Sequence, residues 1–160
     1  MRHGDRGFSL IELLIVVAII LIIMAIAIPN LMRSRIAANQ ASAIGSCRII
    51  NTAEVTFSSS YGTGFTTTLI QLGPPASGPV TISAAGLLDS VLASGSKSGY
   101  NFTYSPQLPD PRGMYNGYNV NGNPASVGQT GTAYYFTDQT HVIRGTTAGV
   151  ASALDSPVAQ

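Results

Sequence analysis

The sequence predicts an α+β protein, a long N-terminal helix whose C-terminal half packs on a small antiparallel β-sheet head. Three observations carry this expectation. Residues 13–28 are apolar without a break, sixteen positions in succession. Residues 36–61 then place apolar side chains at helical spacing on one face. From residue 62 onward the chain is rich in Gly, Ser, Thr, Asn and Tyr and divides into short β-type runs. With 160 residues in total, the chain provides for one modest core.

The N-terminal element comes first. Extending the apolar run back to Phe8 gives 21 residues interrupted only by Ser9 and Glu12. As a helix this stretch is roughly 32 Å long, against about 30 Å for a bilayer core. Arg2 and Arg6 precede it, partly offset by Asp5, so the N-terminus stays cytoplasmic and the bulk of the chain lies outside. A secretory signal cut at Ala25-Ile26-Ala27, an uncleaved anchor and a buried core helix compete as readings of this run. The core helix fails because so small a chain has too little protein to surround it. Glu12 separates the other two from a third possibility. A carboxylate in an apolar span costs on the order of 2–3 kcal/mol at the bilayer centre and less near its edge. It is retained for a partner, and no Lys or Arg lies within helical reach inside the segment. A free N-terminal amine made by cleavage just upstream would supply one.

Gly7-Phe8-Ser9-Leu10-Ile11-Glu12-Leu13-Leu14, followed by the apolar run, resembles the class III signal of type IV prepilins and pseudopilins. The resemblance implies a pilin-like fold and a prepilin peptidase that cuts between Gly7 and Phe8 and N-methylates Phe8. Residues 1–7 are then the leader, and Glu12 becomes the fifth mature residue, the acid that pairs with a neighbouring subunit's amine during assembly. Pro29 falls where many pilins carry a helix-bending proline. Residues 8–28 would form the transmembrane and filament-core helix, 29–61 its amphipathic half and 62–160 the head. The implied function is that of a type IV pilus subunit, polymerised noncovalently from the inner membrane. The alternative is a type II secretion pseudopilin, or a minor pilin, in a short periplasmic pseudopilus. The implied partners are further copies of the chain in a helical filament, the peptidase, the pilus or secretion machinery, and the inner membrane before assembly.

In the second half of the helix, Ile36, Ala43, Cys47, Ile50, Phe57 and Tyr61 recur on one face, diluted by Gln40 and Glu54. Arg33, Arg35 and Arg48 fall on the polar side. The helix is expected to stop at Tyr61, where Gly62 and Gly64 follow. Cys47 reads as a small buried apolar residue. In the head, residues 69–75 read as a brief helical or turn segment and 86–93 as a short helix with Leu87, Leu88, Val91 and Leu92 inward. Strands are expected at 100–105, 115–121, 133–138 and 141–144, with a turn at 122–124 and a tight hairpin across 136–142. Residues 57–73 and 132–144 resemble the heads of pilin-like proteins of environmental Gram-negative bacteria.

Composition narrows the function classes. Charged residues are 9% of the chain and the net charge is +1, so no field gathers nucleic acid. One cysteine closes no internal disulfide. No Ser stands in a strand–turn–helix nucleophile context, and no nucleotide-binding motif occurs, so the chain is not expected to be an enzyme or to carry a cofactor. Asp110, Asp138 and Asp155 are too dispersed for an EF-hand-like loop. Resemblance to calcium-holding secretion pseudopilins would make Asp138 and Asp155 ligands, but no metal site is expected. His141 reads as a surface residue. The six tyrosines at 100, 104, 115, 118, 134 and 135 read as core and strand packing. Removing Arg2, Arg6 and Asp5 with the leader leaves six basic and six acidic side chains. A neutral subunit meets little like-charge repulsion when repeated along a fibre.

Overall fold

A computed structural model describes residues 8–158. Gly7, the residue before the expected cut, lies outside the described residues. The chain divides into two compact units, one up to Arg35 and one from Ile36 onward. The helix α1 (Leu10–Tyr61) contributes to both.

In the N-terminal unit the helix buries nothing, and its Ile, Leu and Val side chains stand exposed from Leu10 to Leu31. Pro29 lies inside α1. Lacking an N–H, it leaves the Ala25 carbonyl without its helical donor. Ser34 Oγ donates back to the Asn30 carbonyl at 3.0 Å, a bond local to the same stretch.

In the second unit, α1 buries Ala43, Ser46, Cys47, Ile50, Asn51, Ala53, Glu54 and Phe57. These sit three or four residues apart, so a single stripe faces the core. The predicted stripe is therefore present, and Arg48 lies outside it, exposed. The helix ends at Tyr61, and Gly62 follows in the left-handed region at φ +64°.

The sheet has five antiparallel strands in sequence order: β1 (Ser96–Lys97), β2 (Tyr100–Pro109), β3 (Tyr115–Pro124), β4 (Tyr134–Asp138) and β5 (Arg144–Thr146). Consecutive order means every connection is a local hairpin or loop. In β2 the alternation puts Tyr100 and Phe102 inward and Asn101 and Thr103 outward. Tyr118 and Val120 of β3 and Tyr135 of β4 join them in one core with Ile50, Phe57, Leu72, Leu88 and Leu92. A short 3-10 turn, Leu69–Leu72, and the one-turn helix α2 (Ser90–Ala93) close that core.

Several expectations change. The Gly122-Asn123-Pro124 turn does not form; β3 runs through it, pairing Gly122 with Phe102 and Pro124 with Tyr100. Cross-strand packing decides this, because Gly122 leaves room for the Phe102 ring against its backbone. The short helix covers only Ser90–Ala93, capped by Asp89, whose Oδ1 accepts the Leu92 N–H at 3.0 Å. Residues 86–88 are instead held by backbone bonds to Leu72 and Gly73, and Val91 faces out at 55% exposure. The last strand begins at Arg144, not at His141, which takes φ +63° in the loop after β4. The hairpin joining β4 and β5 is consequently wider than a tight turn, with Phe136 opposite Arg144. The C-terminal segment then covers the β5 edge: Gly145 N–H donates to Ser156 O at 3.0 Å and Val158 N–H to Ile143 O at 2.8 Å. An edge so covered offers fewer free backbone groups to another strand.

Candidate functional site

Two places concentrate chemistry, one in each unit. The first is the start of α1. Phe8 is 76% exposed, and the apolar side chains that follow remain uncovered as far as Met32. The helix is long and apolar enough to cross a membrane. Glu12 sits in the first turn, where its Oε2 accepts the Ser9 backbone N–H at 2.9 Å. That bond is half of a capping box, in which an acid three residues into the helix returns to the cap residue's amide. A carboxylate here also faces the positive end of the helix dipole. The sequence reading sought a charged partner for Glu12 and missed this neutral one. The spacing Ser9-x-x-Glu12 was the signal that could have shown it.

The second place is a buried polar layer between α1 and the sheet. Asn51 Nδ2 donates to Thr137 Oγ1 at 2.9 Å, and the Tyr118 hydroxyl donates to Asn51 Oδ1 at 3.0 Å. One helical turn on, Glu54 accepts from Thr66 Oγ1 at 2.5 Å and from the Thr66 N–H at 3.1 Å. The Tyr104 hydroxyl donates to the Thr66 carbonyl at 2.8 Å. Tyr104 stacks on Tyr118 with centroids 5.9 Å apart, and Phe65 meets Tyr118 edge-on at 4.9 Å. Burial raises the Glu54 carboxyl above its ordinary range, and the Thr66 donors oppose it by less. The Tyr104 and Tyr118 phenols are raised in turn, first by burial and then by the nearby Glu54 carboxyl. Cys47, fully buried on the same face, has its thiol pushed up to about 12 by desolvation. The sequence marked Glu54 only as a dilution of an apolar stripe, and nothing local to Thr66 singled it out.

The remaining candidate residues do not converge. Asp138 Oδ1 closes its own turn through Thr140, and Asp155 Oδ2 accepts from the Ser152 N–H at 2.7 Å. No group of three His, Cys, Asp or Glu side chains suited to a metal occurs among the described residues. His141 is exposed in the loop after β4. Tyr100, Tyr118 and Tyr135 are buried, while Tyr104, Tyr115 and Tyr134 are half-buried, so the tyrosines serve packing.

The arrangement, a membrane-length apolar helix leading into an α+β head, is pilin-like. The family model described as the prokaryotic N-terminal methylation motif matches residues 2–28. The chain therefore carries the class III signal shared by type IV pilins and pseudopilins. No curated protein and no solved structure matches the chain significantly. The head accordingly stands on its own geometry.

Proposed function

We propose that the chain is the structural subunit of a type IV pilus, anchored in the inner membrane until it is assembled. The N-terminal methylation motif over residues 2–28 carries this reading, because it coincides with the exposed apolar stretch of α1. Cleavage between Gly7 and Phe8 on the cytoplasmic face leaves that helix attached, so the mature product is still a membrane protein. Phe8 receives the methyl group. Neighbouring helices can replace lipid around the Ile, Leu and Val side chains, so burial of the same surface holds both the stored and the assembled state. Glu12 directs docking by pairing with the amine of an adjacent subunit, giving up its bond to Ser9 in exchange. Pro29 weakens the helix locally at the end of the apolar stretch. Residues 62–160 form the outward head, and no catalytic, metal or cofactor role is assigned to them.

Mass spectrometry of the N-terminus in filaments sheared from native cells tests this reading. A chain starting at methylated Phe8 in the sheared fraction is the expected result. The same start found only in the cell envelope would replace the pilus by a secretion pseudopilus or a minor pilin. A start at Ile28 would mean a secreted protein and would end the pilin reading. Replacing Gly7 with a bulky residue should trap the uncut precursor, and normal mature chain in that variant would place the cut elsewhere.

A further inference from the structure

Among the acidic side chains of the described residues, Glu54 alone has no exposure. It is buried without a cation. The single ion pair among the described residues, Lys97 with Asp89, involves neither it nor its neighbours. Placing an ionised carboxylate where no cation compensates it is costly, and hydrogen bonds return only part of that cost. The groups that face Glu54 are themselves acids or neutral: Tyr104 from β2 and Tyr118 from β3, with Cys47 on α1 and Asp138 on β4 acting on Tyr118 in turn. None can supply positive charge.

What Glu54 holds is the segment that leaves the helix. Thr66 is gripped at three atoms: its hydroxyl and N–H donate to the Glu54 carboxylate, and its carbonyl accepts from Tyr104. Just before it, Gly64 takes φ +77° and lies so close to the Tyr115 carbonyl that a side chain would overlap it. Beside this segment is a cavity of about 170 Å³ lined in part by Phe57, Thr63, Thr66, Gln71 and Tyr115. It has room for several waters beside Thr66.

We infer that Glu54 is a proton-operated latch: protonated, it pins residues 62–68 to α1, and ionised, it takes on water and releases them. The proton passes to solvent as the segment opens; the Thr66 hydrogen bonds to the carboxyl break and no other covalent bond changes. The direction follows from linkage. The closed segment keeps the proton at pH values where the opened, hydrated carboxyl has lost it. Above the ordinary value of 4.5, opening therefore becomes easier with rising pH. The gain is about tenfold per pH unit, until the buried group itself ionises. The inference holds for a pilus subunit and a pseudopilin alike, since it concerns the head alone.

Amide hydrogen exchange of the full chain in a mild detergent tests it, read at residues 62–68 and corrected for the intrinsic exchange rate. Wild type should lose protection there by about tenfold per pH unit over part of the range from pH 5 to pH 8. Glu54→Gln keeps an acceptor for Thr66 but cannot ionise, so its protection should be flat with pH. Equal pH dependence in both proteins, or flat protection in both, would overturn the latch. Infrared titration of the wild type covers the case in which the variant does not fold. One protonated carboxyl band should persist above the ordinary carboxylate range, and its absence would equally overturn the latch.

Discussion

Gly131 leaves no space for a side chain, since a Cβ there would overlap the Tyr100 phenol. That phenol donates to the Ala133 carbonyl at 2.8 Å and belongs to a fully buried ring. Gly131→Ala should force the ring off this bond and destabilise the head by about 1–3 kcal/mol. The shift in denaturant midpoint of the detergent-solubilised chain, followed by tyrosine near-UV circular dichroism, measures it. Cys47 offers a second test at this scale. Its thiol is buried and pushed up to about 12, so almost no thiolate exists at neutral pH. Iodoacetamide should leave it unmodified in the folded chain and alkylate it on unfolding, a difference that mass spectrometry reads directly. Glu12 belongs here too. Its bond to Ser9 uses a carboxylate oxygen that a Gln side chain also offers. Glu12→Gln should therefore keep the helix cap, while both Glu12→Gln and Glu12→Ala lose the charge proposed for docking. Co-expression with wild type and quantification of each form in sheared filaments compares them. Normal incorporation of both variants would remove the pairing role.

At the scale of the element, the second half of α1 works as a one-sided helix whose buried stripe shares one core with residues of β2, β3 and β4. Ile50 has no exposure and Ile49 is 47% exposed, although the two are adjacent. Ile50→Ala should cost about 2–5 kcal/mol of head stability through lost burial and an unfilled cavity. Ile49→Ala should stay within about 0.5 kcal/mol in the dispersed chain. Equal effects in the same denaturation assay would mean that the helix sits on the sheet by a different face. Helical period made this stripe legible in advance, because apolar residues every three or four positions define one side wherever the sheet lies. Strand limits were less legible. Polar residues such as Asn119, Asn121 and Asn123 alternate along β3 with buried Tyr118, Val120, Gly122 and Pro124. The strand therefore continues through residues whose local preference is for turns. Pairing with β2 outweighs that preference, and no local signal reports the partner.

At the scale of the molecule, charge contributes little. Lys97 and Asp89 make the one salt bridge among the described residues, and both are partly exposed. Exposed pairs of this kind contribute up to about 1 kcal/mol and are screened by salt. Thermal unfolding of the head, followed by near-UV circular dichroism, should therefore shift by no more than about 1 kcal/mol in equivalent stability when salt is raised at fixed pH. A larger shift would mean that charges outside this pair hold the fold. Neutrality also suits a subunit packed repeatedly against its own kind, where any fixed charge meets its copies at close range.

The apolar run with its basic approach, the acid at Glu12 and the helix end before Gly62 were all readable along the chain. Each depends on residues near one another in sequence, on spacing, or on the thickness of a bilayer. Residues such as Ser9, Glu54, Thr66 and Gly131 took on meaning through contacts. For Ser9 the partner is three residues away and a spacing rule suffices. For Gly131 it is Tyr100, and for Glu54 it is a threonine beyond the helix end and a tyrosine on β2. A buried carboxyl looks like any helical glutamate until the chain has folded. Only packing removes the water from around it and places hydroxyls there in its stead.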